Sequence, residues 1–258
     1  MRGFAIRATD GEIGSVDDFL FDDEQWTIRY LVANTGSWLT GRLVLVSPIA
    51  FRAVDWDGQA FAVNLTRRQV EESPGIATDQ PVSRQMEEQY FRYYGYPYYW
   101  AGPGLWAGGM YPVYTGHILG TAPAPIAPSA TEREVQQSER PHGDQHLRSV
   151  RAVTGYAIQA RDDDLGHVED FIMDDQSWAI RYMVVDTRNW WPGKRVLAAP
   201  QWITSVSWAE SSVHVDLMRE TIKSAPEYDS SALLDREYET RLYRHYGRPA
   251  YWEEPDDA

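Results

Sequence analysis

A chain of 258 residues with 43% apolar and 24% charged side chains has the composition of globular domains, one large or two of ordinary size. Its formal charge of -14 argues against direct contact with a nucleic-acid backbone or an anionic lipid surface, because both repel an acidic protein. The lack of cysteine excludes disulfides, thiolate metal sites and a cysteine nucleophile, and it fits a reducing cytoplasm.

Met1-Arg2-Gly3-Phe4 leads straight into a strand-like pattern without the apolar core of a signal peptide, so a cytoplasmic location is expected. Short runs rich in Val, Ile, Phe, Tyr and Trp then alternate with turn signals, which predicts an all-β unit. Asp10-Gly11 marks the first hairpin. From Ile13 to Asp22 the alternation changes phase, because Val16 and Phe19 cannot share a face; a bulge near Asp17-Asp18 repairs it and bends the strand. The turn Asp22-Asp23-Glu24-Gln25 leads into a strand from Thr27 to Thr35, and Gly41 marks the next hairpin. Val44-Leu45, then Val54 and Trp56, then Phe61, Val63 and Leu65 supply three more strands, about six in all. Asn64, and Asp216 in the second half of the chain, are placed to cap two-turn helices through Val70 and Ile222 that stop before Pro74 and Pro226. A second helix starts at Ser83, carries an apolar stripe over Val82, Met86, Tyr90, Phe91 and Tyr94, and ends at Gly95.

All of this is written twice. Gly3 aligns with Gly155, and an offset of 152 holds without a gap to Trp100 and Trp252, with 36 of 98 paired positions identical. A repeat of that length means two domains. The organisation predicted is a first repeat over 1–100, a Gly/Pro-rich linker over 101–146 and a second repeat over 147–258. Copy two carries Leu147 to Thr154 ahead of its glycine where copy one has only Met1-Arg2, so the first repeat is expected to lack an opening element or to start further upstream. The linker is uncharged from Tyr93 to Thr131, but its glycines and prolines rule out a spanning helix. It reads as flexible, with Trp106, Tyr111 and Tyr114 as residues able to dock and a short helix over Glu132 to Arg140.

Four constellations bear on chemistry. The acidic cluster Asp17, Asp18, Asp22, Asp23 and Glu24 does not follow a calcium loop. It reads as a turn with Asp18 paired to Arg29, and Asp170 to Arg181 in copy two, or alternatively as a cation site. Asn34-Thr35-Gly36 opposite Asp186-Thr187-Arg188 does not make a shared carboxylate pair, because only one copy has the aspartate. His142 and His146 have metal-like spacing but no third ligand. The aromatic residues Tyr99, Trp100, Tyr251 and Trp252, with Trp38, Trp190 and Trp191 beside a hairpin, either seal the units or dock a partner.

The stretch Gly14, Val16, Asp18, Phe19, Asp22, Asp23, Trp26, Ile28, Arg29, Tyr30, Val32 resembles the PRC-barrel family. Its copy Gly166, Val168, Asp170, Phe171, Asp174, Asp175, Trp178, Ile180, Arg181, Tyr182, Val184 does so equally. The resemblance covers both repeats, and the C-terminal tyrosine-rich helices look like those of bacterial tandem PRC-barrel proteins. It implies a mainly β fold: two small antiparallel PRC-type β-barrels in tandem, each followed by a short helix and a C-terminal amphipathic aromatic helix. It also implies binding rather than catalysis, as in the cytoplasmic domain of the photosynthetic reaction centre H subunit and the C-terminal domain of the ribosome maturation factor RimM. This sequence shows neither the membrane helix of the first nor the N-terminal domain of the second, so no functional residue is carried over from either.

The expectation is therefore a cytoplasmic, non-enzymatic scaffold without cofactor or metal, docking on a protein partner. A basic protein or a membrane electron-transport or photosynthetic complex would suit, and homo-oligomers are compatible. A carboxylate-rich cation-binding protein and a RimM-like ribosome accessory are the alternatives.

Overall fold

In a computed structural model of the chain, residues 1–75, 82–113, 146–187, 193–232 and 234–253 are described. The protein is mainly β, with two mixed sheets and few helices. It divides into two units, one of Met1–Arg151 with Asp174–Ala179, the other of Ala152–Met173 with Ile180–Ala258. The boundary between 146 and 147 suggested by the repeat alignment falls inside the first of these.

In unit one the strands are β1 (Ala5–Ala8), β2 (Gly11–Asp22), β3 (Thr27–Asn34), β4 (Leu43–Val46), β5 (Phe51–Asp55) and β6 (Ala60–Val63), hydrogen-bonded in the order β4-β3-β2-β1-β6-β5. A seventh strand, β7 (Leu147–Ser149), adds to β2. The purely antiparallel arrangement expected from the sequence is corrected at one pair: β1 and β6 run parallel. Six strictly alternating hairpin strands would leave β6 antiparallel to β1. A 3-10 turn at Pro48–Ala50 breaks that alternation, so β5 keeps the direction of β4. Ser47 starts this turn by accepting from Ile49 N, which a scan for hairpin residues does not detect.

The bulge on β2 lies where the phase change put it. The register with β3 slips between Val16 and Asp18, leaving Asp17 unopposed. Gly14 on β2 lies tight against the end of β3: a Cβ there would lie 2.0 Å from Asn34 O, and its φ is 132°.

Unit two repeats the plan with β8 (Ala157–Gln159), β9 (Asp164–Met173), β10 (Ile180–Asp186), β11 (Arg195–Ala198), β12 (Ile203–Ser207) and β13 (Ser212–Val215), in the order β11-β10-β9-β8-β13-β12. Its β8 and β13 are again parallel, and its β9 again slips, between Val168 and Asp170.

The helices are α1 (Arg67–Glu71), α2 (Arg84–Tyr94), α3 (Val150–Val153), α4 (Arg219–Ser224) and α5 (Arg236–Tyr246). α2 and α5 begin and end as expected, with Ser83 and Asp235 accepting from the N–H three residues on, and with Gly95 and Gly247 in the left-handed region. The caps of the short helices differ from expectation. Thr66, not Asn64, caps α1 in a reciprocal pair with Gln69. Met218 occupies the cap position of α4, because Asp216 is drawn into ion pairs with Arg161 and Arg248.

Part of the expected flexible linker is ordered. Trp106 is only 6% exposed, its indole N–H donates to Ser177 O at 2.9 Å, and Ala107 N donates to Tyr99 O at 2.9 Å. A large aromatic surface with one polar atom is worth burying when that atom finds an acceptor, and Ser177 O provides it. Tyr114, the helix expected over 132–140 and His142 lie outside the described residues. Among the described residues no helix is long and apolar enough to cross a membrane.

Candidate docking surface

The aromatic helices seal the sheets through a buried carboxylate that occurs once per copy. In unit one, Glu87 on α2 is fully buried. Its Oε1 accepts from Tyr30 on β3 at 2.9 Å and from Tyr99 at 2.8 Å. Arg84 and His146 approach its Oε2 at 3.2 and 3.3 Å. Burial, followed by the adjacent Glu87, pushes the Tyr30 and Tyr99 hydroxyls well above the ordinary tyrosine value, so both remain neutral donors. Unit two repeats the set, with Glu239 accepting from Tyr182 at 2.8 Å and from Tyr251 at 3.2 Å, and Arg236 at 3.1 Å. Sequence reasoning missed this cluster, although Tyr30, Arg84, Glu87 and Tyr99 are all identical between the copies.

The aromatic residues expected as docking candidates are largely spent on this sealing. Tyr99 is buried, with Arg29 3.9 Å above its ring. Trp100 is half-buried and stacks on Tyr98 at 4.9 Å, with Arg84 4.2 Å from its ring. Tyr251 and Trp252 are half-buried against Tyr243, and Arg181 and Arg236 cover them at 4.3 and 3.8 Å respectively. Trp38 is half-buried, donates to Ile13 O at 2.9 Å and carries Arg67 over its ring. Trp190 and Trp191 lie outside the described residues.

The expected ion pairs are corrected. Arg29 pairs with Asp22 at 3.0 Å, not with Asp18. The bulge at Asp17 turns Asp18 away, onto its own Phe19 N–H and onto Ser149 and Arg151. Asp170 likewise accepts from Phe171 N, while Arg181 lies over the Tyr251 ring. Among the described residues no group of three His, Cys, Asp or Glu is arranged to hold a metal.

One cleft in unit one has a different character. It encloses about 310 Å³ between Phe51, Arg52, Trp56, Pro112, Asp175 and Trp178. Trp178 forms its inner wall, 4.8 Å from Phe51. Trp56 stands at its mouth, 51% exposed and backed by Phe4 at 6.2 Å. Met110, Tyr111 and Val113, on the segment that carries Pro112, are exposed as well. Soluble surfaces rarely gather large apolar side chains in this way except where something binds. The sequence pattern marked Trp56 only as a strand residue; its identity with Trp208 in copy two was the available signal. A larger cleft in unit two, about 490 Å³, is lined by Lys194, Arg195 and Glu227 to Ser230. Its two cations are already engaged, Lys194 by Ala225 O and Arg195 by Glu169 at 2.6 Å.

No family model matches the chain. An uncharacterized protein of Deinococcus radiodurans is 35% identical to it over 85 residues, 33% of this chain and 30% of that protein's length. The match is shorter than one repeat and spans less than a third of the relative.

Proposed function

We propose that the chain is a non-catalytic binding protein of two PRC-type β-barrel modules, and that the Trp56 cleft of unit one is where a partner protein docks. The observation that carries this reading is the exposure of Trp56 together with Met110, Tyr111 and Val113, while Tyr99, Trp100, Tyr251 and Trp252 are spent on sealing the units. Tryptophan and tyrosine in a desolvating cleft are the residue types that dominate binding energy at protein interfaces. The net charge of -14 favours a basic partner, whose association the field would accelerate. A basic face of a membrane complex fits the same description and the family resemblance. The acidic residues that would serve a cation site are spent internally, Asp22 on Arg29, Asp23 on Arg148 and Asp17 on Arg151.

The test is native co-purification of wild-type and Trp56→Ala chains from the source cells, with salt elution. The expected result is a basic protein recovered with the wild type and depleted at least about tenfold with the variant, a loss typical of an aromatic anchor. Equal recovery with both chains would remove the cleft from the binding site.

A further inference from the structure

The Trp56 cleft holds three polar groups that the fold itself does not use. Trp178, on the inner wall, is only 3% exposed. Its indole N–H finds no acceptor among the described residues, whereas that of Trp106, also buried, donates to Ser177 O at 2.9 Å. The Trp178 N–H is nevertheless not sealed from solvent, so it opens on the cleft that its ring lines. Arg52 and Asp175 stand exposed in the same cleft. Among the described residues neither side chain makes an ion pair or a hydrogen bond. A mostly buried donor that no protein group satisfies calls for an explanation, and a ligand is one.

The occupant follows from that chemistry. One turn of helix, about 10 Å across and about 5.4 Å long, fills roughly 420 Å³, more than the 310 Å³ of the cleft. A helix is therefore too wide, and an extended segment fits. Two unused donors, the Trp178 indole N–H and the Arg52 guanidinium, call for free acceptors. A polyproline II backbone supplies them, because its carbonyls make no internal hydrogen bonds. Its proline rings suit aromatic walls, here Trp56, Phe51 and Trp178, and its preformed shape loses little entropy on docking. The unpaired Asp175 calls for a cation next to the prolines, in agreement with the chain's net charge of -14.

We infer that the Trp56 cleft takes a proline-rich segment of the partner in the polyproline II form, with a basic residue beside the prolines. Trp178 and Arg52 donate to its carbonyls, Trp56 and Phe51 pack on its rings, and Asp175 pairs with the basic residue. This rests on the docking reading above and narrows it to one kind of segment.

The probe is a labelled, end-blocked peptide of six prolines with an arginine at each end, titrated into the full chain and followed by fluorescence anisotropy. Saturable binding of one peptide per chain is expected. Replacing the arginines with glutamates, or the prolines with alanines, should weaken it by about tenfold or more, the scale of a lost charged contact or aromatic anchor. Asp175→Arg, at an exposed position, should reverse the charge preference, so that the glutamate-ended peptide binds more tightly than the arginine-ended one. In the unmodified chain the indole N–H signal of Trp178 should shift in proton–nitrogen correlation spectra as peptide is added, a readout that needs no variant. Absence of binding, equal binding of the alanine peptide, binding that Trp56→Ala leaves unchanged, or a Trp178 signal that stays in place would overturn the inference. The docking reading fails separately, on equal co-purification by wild-type and Trp56→Ala chains. A partner depleted by Trp56→Ala, together with no peptide binding, would keep the cleft as a docking site and remove the proline-rich segment.

Discussion

The hydroxyl of Tyr30 donates to the carboxylate of Glu87 at 2.9 Å, and both side chains are withdrawn from water. This contact fastens α2 to the sheet of unit one, and Tyr182 with Glu239 does the same in unit two at 2.8 Å. A buried carboxylate is tolerated where several donors converge on it. Here two tyrosines and an arginine converge in each copy, with His146 added in the first.

Removing that acceptor strands its donors. Glu87→Leu should lower the stability of unit one by about 3 kcal/mol, because two buried hydroxyls lose their partner at a cost of about 1–3 kcal/mol each. Glu239→Leu should cost less, because Tyr251 is half-exposed and can turn to water. Denaturant unfolding of the two variants beside Glu24→Leu, an exposed control, measures the difference. A Glu87→Leu value no larger than the control would refute a structural role for the cluster.

Alkaline pH should unfold the protein. Tyr30, Tyr90 and Tyr99 ionise well above 10.0 when folded, chiefly because they are buried. In the unfolded chain they ionise near that ordinary value. The folded state therefore holds more protons above pH 10, and its stability is full below that point and falls as pH rises. Absorbance at 295 nm should show exposed tyrosines titrating first and the buried ones only together with the loss of near-ultraviolet circular dichroism. A single early titration of all tyrosines would contradict this.

Arg29 joins β3 to the ordered part of the linker. It pairs with Asp22, donates to Leu105 O and lies over Tyr99 and Trp106. Arg29→Ala leaves Asp22 buried without its cation, a loss of about 3–5 kcal/mol. Arg29→Lys restores charge but not the planar fork and should recover less than half of it. Limited proteolysis should then cut between residues 101 and 113 in both variants while sparing wild type. Resistance equal to wild type would show that this segment is held by something else.

Glycine replacements separate close approach from backbone conformation. Gly14→Ala drives a methyl into Asn34 O and should prevent folding of unit one or cost more than about 4 kcal/mol, beyond the usual range for single changes. Gly36→Ala meets nothing within 4 Å at a φ of 58° and should cost about 1 kcal/mol. Thermal melts of the two variants decide; equal losses would mean that the contact of β2 with β3 relaxes.

Much of the architecture was legible from local chemistry. The repeat, the strand runs, the bulge at Asp17 and the caps at Ser83, Gly95, Asp235 and Gly247 depend on residues close together in the chain, whose preferences act within a turn or a pleat. The cap of α4 differs because Asp216 is used in ion pairs with Arg161 and Arg248, 55 and 32 residues away in the chain.

What the sequence by itself determined is that this protein is one β unit made twice, each closed by an aromatic helix, because hydrophobic periodicity and turn residues act locally and were duplicated with the chain. What only the tertiary structure decided is which equivalent residues do different work. Asp18 is covered by β7 while Asp170 is exposed, and Trp56 stands open while Trp208 is half-buried. The first difference comes from Leu147–Ser149 joining the sheet of the first unit, and in the Trp56 cleft Trp178 packs against Phe51. Both are contacts between segments more than a hundred residues apart, and no pattern within either copy encodes them.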